Sequence, residues 1–587
     1  MFYNLGSLSE LVTRTLDRLH TDLRAAWLEG LDHKRIAESG QGSGVAGGPG
    51  RGGGGPGRAA GPAPGNMAAY RSSLWANMDS LLDTLHSHMV KVLLLQRLLC
   101  KKVDPISQQS YLSSLPSPGL VAASWSRTTA TVQDCLATAQ ARSNFVRQTL
   151  EGEYPKLVKL YTEFWAKLQS TGAQYTESNQ SEAVVTEEID RGLRESFGQF
   201  ERASLARSLS RLFDPINLMF GGSAGLPSSN EAANIFTVMA SELRIARTEA
   251  RLLDSVTNNV CKAVSLFCQK CEACVDAEAS QVIGQPTPAQ LQNIGVVNLL
   301  SEFHTRLVGL EAEEELPGAG LVEAGQQVER LMVTATEPLI DSVAHSVEAI
   351  LLTVHKEDFS GEPAGGDTAA APAPACSLYM KELQTFLERI GRDFLSVFRW
   401  QGLVGGQLEP LAELTIRQFV LQASLVRPLG GAGAMRLASD CAQLEFALSS
   451  ILGPSGVETG GNATGLTALS TYQLLRTFRS LLFLSPEDMA SCPGLGRTVP
   501  YSTALHLLIS RCPPALLASP AASLGWSTAR YTSWLEDHTG ERERLQLLQG
   551  ALEAYVAAAR ARQDKTFIPQ YPVLLDLLQR GLTANQE

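Results

Sequence analysis

Apolar residues recur every three or four positions through most of this chain, the spacing that puts one side of an α-helix against a core. The longest run joins Ile235, Met239, Leu243, Ala246, Ala250, Leu253, Val256, Val260, Val264, Phe267 and Cys271. It predicts one helix of about 40 residues, roughly 60 Å long at 1.5 Å per residue. Ser7 and Glu10 form a capping box ahead of Leu8, Leu11, Leu16, Leu19 and Leu23, in a helix that ends near Gly30. Further helices are expected over 72–102, 121–150, 151–169 and 287–310, and over 321–355 with a kink at Pro338. Amphipathic segments near 377–400, 408–427, 434–452, 466–484, 500–511, 527–537, 541–562 and 571–582 complete the pattern. Asn-Gly and Asp-Gly pairs are absent and alternating apolar runs are scarce, so the expected class is all-α.

The middle of the chain holds an unusual stretch, Phe200 to Phe220 (FERASLARSLSRLFDPINLMF). Leu205, Leu209, Leu212 and Phe213 keep helical spacing up to Asp214-Pro215. An Asp that can cap and a Pro suited to a first helical turn predict a corner there, ending one helix and starting another. Two Gly/Pro/Ala stretches, Gly40 to Gly65 and Phe359 to Pro374, bury too little apolar surface to offset their ordering entropy and read as linkers. The expected organisation is a first helix in 1–36 left from a preceding helical region, a linker at 37–69, a helical bundle at 70–226, a long-helix bundle at 227–358, a linker at 359–376 and a C-terminal bundle at 377–587.

Composition narrows the function. The formal net charge of −11 argues against a general nucleic-acid binder, which needs a basic face to neutralise phosphates. The most apolar run, Val90 to Cys100, carries Lys91, Gln96 and Arg97 and is too short to cross a bilayer, so any membrane role is expected to be peripheral. Ten Cys scattered without a secretory signal point to reduced thiols in the cytosol.

The motifs that imitate chemistry fail on context. Gly42, Gly44 and Gly47 spell a dinucleotide fingerprint but follow no strand. Gly221 to Gly225 spell G-x-S-x-G, yet a helix precedes them where a nucleophile elbow needs a strand. Asn179 and Asn462 begin glycosylation sequons, which a cytosolic chain does not present to the modifying enzymes. Cys261, Cys268, Cys271 and Cys274 suggest an iron–sulfur or zinc site. On a regular helix, however, Cys at i, i+3 and i+6 spread around one side, and small apolar packing accounts for them. No catalytic residues, cofactor, metal or small-molecule substrate are expected. Another helical scaffold or adaptor is the general alternative, and a metal protein built on the Cys cluster the remote one.

Several stretches are similar to one family. They are EGEYPKLVKLY (151–161), LARSLSRLFDPINLMF (205–220), SQVIG (280–284), HKEDFSG (355–361), CSLYMKELQ (376–384), ASLVRPLG (423–430) and GALEAYV (550–556), with FYNLG (2–6) near the start. Together they resemble subunit 5 of the conserved oligomeric Golgi complex across nearly the whole chain. The resemblance implies an elongated array of helical bundles of the multisubunit tethering-complex (CATCHR-like) type, with a further N-terminal helical region preceding the part seen here. It implies a non-catalytic role in retrograde intra-Golgi vesicle tethering on the cytosolic face of the Golgi, which keeps glycosylation enzymes in place. Implied partners are the other subunits, subunit 7 above all, with SNARE and Rab proteins and the Golgi membrane surface. The candidate partner contact is the stripe Tyr154, Leu157, Tyr161, Phe164 and Trp165, with Leu212, Phe213 and Ile216 beside it. The same apolar stripes would serve equally as core.

Overall fold

The computed structural model describes the chain except residues 1–6, 37–66, 114, 116–119, 176–186, 222–224, 277–283, 314–318, 362–375, 401, 454–455, 458–462, 564–565 and 585–587. The first glycine linker, the dinucleotide fingerprint, Ser223, both sequon asparagines and most of SQVIG therefore lie outside the described residues. The rest is helical apart from one two-stranded antiparallel pair, β1 (Gly456–Val457) with β2 (Ala463–Thr464). Contacts divide the chain into two compact units. The first takes Met1–Ser223, Asn230–Phe267 and Leu307–Ala324; the second takes Ala224–Ser229, Cys268–Arg306 and Gly325–Glu587.

In the first unit, α1 (Leu8–Gly30) packs on α2 (Met67–Lys101) and α3 (Leu120–Arg142), with Leu23 and Trp27 buried between them. The helix expected over 121–150 is broken. Ser143 takes an extended backbone (φ −137°, ψ 112°) and its hydroxyl accepts the Val146 N–H at 3.4 Å, starting α4 (Asn144–Gly152). After α4, α5 (Tyr154–Tyr175) lies along α2 and runs antiparallel to α6 (Glu187–Met219).

Two expectations are corrected here. Asp214-Pro215 makes no corner: α6 passes through it, with Pro215 inside the helix. Pro215 leaves the Arg211 carbonyl without its usual donor, but only about one turn of helix remains beyond it. The helix ends where Phe220 N–H donates to Ile216 O at 3.3 Å and Gly221 N–H to Leu218 O at 3.1 Å. The single long helix from Ile235 to Cys271 is in fact two, α7 (Ser229–Ala246) and α8 (Ala250–Glu272). Residues 247–249 turn, and the Glu249 carboxylate ion-pairs with Arg194 of α6. Apolar periodicity continues across the break, because both helices keep one face to the core.

Later helices follow the pattern closely. Thr287 and Gln290 make a reciprocal capping box at 3.2 and 2.9 Å before α9 (Pro288–Glu313), and α10 (Ala319–Leu352) carries Pro338 inside it. In the second unit, α11 (Leu378–Asp393) packs on α13 (Gly431–Leu452). Beside them α12 (Glu409–Ser424) packs on α14 (Tyr472–Leu481) and, past the short α15 (Pro486–Ala490), on α16 (Tyr501–Arg511). Past α17 (Pro520–Ser523) and α18 (Thr528–Asp537), α19 (Glu541–Ala561) and α20 (Tyr571–Ala584) meet α16 over one continuous apolar core. Phe359, which opens the expected linker at 359–376, belongs to that core and is 1% exposed. Residues on both sides of 362–375 lie in this same unit.

Candidate partner-contact site

The eight residues singled out by pattern separate into two groups, and most are interior. Tyr154, Leu157, Tyr161 and Phe164 are buried along α5, whereas Trp165 is half-buried. Their helix repeats apolar residues at three- and four-residue steps, so they line one side, and on that side Tyr161 meets α6. Tyr161 donates its hydroxyl to Asp190 and stands edge-on to Phe197, ring centroids 6.0 Å apart. On its other side it stacks with Trp165 at 6.4 Å, planes 11° apart. The Arg194 guanidinium lies 4.9 Å over the Tyr161 ring and pairs with Asp190 at 2.9 Å and with Glu249. Burial, reinforced by Asp190, pushes the Tyr161 phenol well above its ordinary pKa. Burial alone would lower the Arg194 pKa, but Glu249 and Asp190 hold it above the usual value. The arrangement is a packing cluster held by ion pairs.

Leu212 and Ile216 are buried and Phe213 half-buried much further along α6. Asp190, beside Tyr161, and Phe213 are separated by roughly 35 Å of helix, so Tyr161 and Phe213 do not share one patch. Between them, at the N-terminal end of α5, lies a cleft of about 220 Å³ lined by Pro155, Lys156, Leu205, Arg211, Glu242 and Ile245 among others. Its charges are matched: Arg211 meets Glu242 at 3.0 Å and Lys156 meets Glu153 at 2.6 Å.

The Cys cluster divides by burial. Cys268 and Cys271 are buried in α8, while Cys261 and Cys274 are half-buried. Burial pushes the Cys268 thiol up to about 11 and the Cys271 thiol higher still, which keeps both protonated. No group of three His, Cys, Asp or Glu among the described residues is arranged to hold a metal.

Pattern reading missed a second cluster, because its members are polar and scattered in sequence. Three of the family-like stretches meet in the second unit around Asp440, which is 0% exposed. Its carboxylate accepts from Ser377 N–H at 3.1 Å, from Ser377 Oγ at 2.6 Å and from the Tyr379 hydroxyl at 2.8 Å. Arg436 donates to Ser377 Oγ at 3.1 Å and to Glu357 at 2.8 Å, and Glu357 also accepts the Tyr379 N–H at 2.8 Å. The same guanidinium sits 4.1 Å over the Phe359 ring. Backbone closes the knot: Gly430 N–H donates to Phe359 O at 2.9 Å. A Cβ on Gly433 would stand 2.1 Å from that same oxygen, so glycine is required by the close approach. Burial pushes the Asp440 pKa up against the opposing pull of Ser377, Tyr379 and Arg436. Asp440 was read only as part of a helix, and its burial is the signal that a polar position facing an apolar stripe could have given.

Stripes and polar knots that all hold helix to helix define the class, an all-helical scaffold protein. A family model described as conserved oligomeric Golgi complex subunit 5, C-terminal, matches residues 1–165. Conserved oligomeric Golgi complex subunit 5 of Mus musculus is 37% identical over all of this chain and 72% of its own length. The Arabidopsis thaliana protein of that name is 28% identical over all of this chain and 69% of its own length, and that of Drosophila melanogaster is 27% identical over 61% of this chain and 47% of its own length. The chain belongs to the family of conserved oligomeric Golgi complex subunit 5.

Proposed function

We propose that the chain acts as a non-catalytic subunit of the oligomeric Golgi tether, in retrograde intra-Golgi vesicle transport and hence in keeping Golgi glycosylation enzymes in place. The observation that carries this is identity of 37% sustained over the whole chain to the Mus musculus subunit. Its helices present packing surfaces, and its work is helix-to-helix docking of other subunits, subunit 7 first, and of SNARE and Rab proteins. It operates at the cytosolic face of Golgi membranes as a peripheral protein. No helix among the described residues is long and apolar enough to cross a membrane, which fits that placement.

Within the proposed contact stripe the half-buried residues, Trp165 and Phe213, have surface left to share, and they are the proposed points of contact; the buried members support them from beneath. The test is affinity capture from cell extract with the intact chain, Trp165→Asp and Phe213→Asp, each variant first shown to keep its helical circular dichroism. Recovery of Golgi-tether subunits by the intact chain is expected, with loss in at least one variant. An intact chain that recovers none of them removes the functional reading. Folded variants that both bind normally remove only the contact assignment.

A further inference from the structure

The second unit carries a strip whose composition departs from the rest of the chain. From Cys512 to Ala529, eighteen consecutive residues include no Asp, Glu, Lys or Arg, although 19% of the chain is charged. Much of the strip faces outward. Pro513, Pro514, Ala515 and Ala522 are exposed, as are the larger side chains Leu516 (47%) and Leu524 (44%). Fixed contacts hold this backbone. Arg427 donates to the carbonyls of Cys512 (3.1 Å) and Leu517, and Arg562 to those of Ala515 (3.4 Å) and Leu516 (3.2 Å). A single turn, α17 (Pro520–Ser523), then leads to Trp526, whose N–H donates to Ala521 O at 2.9 Å.

Trp526 is half-buried against Tyr531 and Leu535, with its ring 6.3 Å from Trp534. Its indole N–H finds no acceptor among the described residues. The exposed Arg530 lies 5.0 Å over the same ring and has no acidic partner among the described residues. Exposed leucines, a half-buried indole and a rim guanidinium are what a lipid interface selects. Apolar tips enter the acyl boundary, indoles sit at headgroup level and Arg meets phosphate. Charge complementarity supports the same occupant. In a chain of net charge −11 the residues 512–529 carry no acid and Arg530 closes the strip, so it suits an anionic surface that would repel much of the molecule.

We infer that the strip 512–530 is where the chain touches a lipid bilayer, with Leu516, Leu524 and Trp526 entering the interface and Arg530 facing lipid phosphates. This rests on the peripheral membrane placement proposed above and names the surface responsible. The test is co-sedimentation of the full chain with vesicles of phosphatidylcholine and phosphatidylserine, with tryptophan emission quenched by brominated acyl chains. The intact chain should sediment and be quenched. Leu516→Glu with Leu524→Glu should lower partition by about tenfold or more while circular dichroism stays native. Arg530→Glu, a change at the surface, serves as the second variant and should weaken binding to phosphatidylserine vesicles. An intact chain that stays in solution overturns the inference, as do folded variants that bind vesicles like the intact protein. Capture of tether subunits is followed in parallel and should be unchanged. If the double variant keeps its vesicles but loses those subunits, the strip is a protein interface and the inference is refuted, while membership of the tether stands.

Discussion

Replacing Asp440 with Ala removes the acceptor shared by three donors, Ser377 N–H, Ser377 Oγ and the Tyr379 hydroxyl, at a position 0% exposed. An orphaned buried donor costs about 1–3 kcal/mol, so three of them set a gross penalty of about 3–9 kcal/mol. Part is returned, because burying the carboxylate is itself unfavourable, as its raised pKa shows. A net loss of about 3 kcal/mol is expected. Asp440→Asn keeps one acceptor oxygen and should cost about 1–2 kcal/mol, and Tyr379→Phe about 1 kcal/mol. The Asp440→Ala, Tyr379→Phe double variant should then be less unstable than the sum of its parts by about 1 kcal/mol, since one donor can be lost only once. Native-state hydrogen exchange on peptides spanning 377–390 and 434–447 reads these changes in the second unit without requiring the whole chain to unfold in one step. A cost below about 1 kcal/mol for Asp440→Ala, or strict additivity in the double variant, would refute the claim that these bonds hold the knot.

Three further outcomes are expected. His88 is kept neutral, its pKa pushed down to about 4 by burial and then by neighbouring His20 and Lys91, while the unfolded chain takes up that proton near pH 6.5. Between those values the unfolded state binds more protons, so the stability of the first unit should fall by roughly 3 kcal/mol as pH drops from about 7 to 4; urea titrations should lose much of that slope in a folded His88→Leu variant. Gly433→Ala should destabilise the second unit by about 2 kcal/mol or more, because the Phe359 carbonyl must move, whereas Gly431→Ala, with nothing within 4 Å of its Cβ, should be near neutral in the same melting experiment. Cys268 and Cys271 should resist iodoacetamide in the native chain while half-buried Cys274 reacts, as peptide mass spectrometry would show.

Helix identity was legible in the sequence because apolar spacing reports a buried face directly. Several helix ends were legible too, at Thr287 and Gln290 through a formed capping box and at Leu8 and Gly30, although Ser7 makes no side-chain cap bond. Periodicity could not see the break at 247–249, since both halves keep the same face inward and the partner of Glu249 there, Arg194, is distant in sequence. Asp214-Pro215 misled for a related reason. A proline near a helix C-terminus costs one hydrogen bond, and packing of Leu212 and Ile216 on either side outweighs that local preference. The candidate contact stripe was legible as a stripe. Its division into an α5 group and a distant α6 group was not, because which way α5 runs along α6 is a tertiary fact.

The positions of the family-like stretches bear on what a resemblance can locate. HKEDFSG, CSLYMKELQ and ASLVRPLG supply Glu357, Phe359, Ser377, Tyr379 and Gly430 to one buried knot, and EGEYPKLVKLY supplies buried Tyr154, Leu157 and Tyr161 to another packing cluster. Such sites tolerate little change, since a lost donor, a cavity or an added Cβ each costs kilocalories. Recognisable sequence therefore concentrates where helices lock together, and it identifies the scaffold. A surface that meets a partner or a bilayer has looser demands: exposed apolar tips, an indole and a few guanidiniums satisfy it in many arrangements. The strip 512–530 and half-buried Trp165 lie outside every stretch that carries the resemblance, whereas Phe213, the other proposed contact, lies within 205–220. The proposed contact surfaces therefore rest on exposure and charge, since a family signature can hold frame and contact alike.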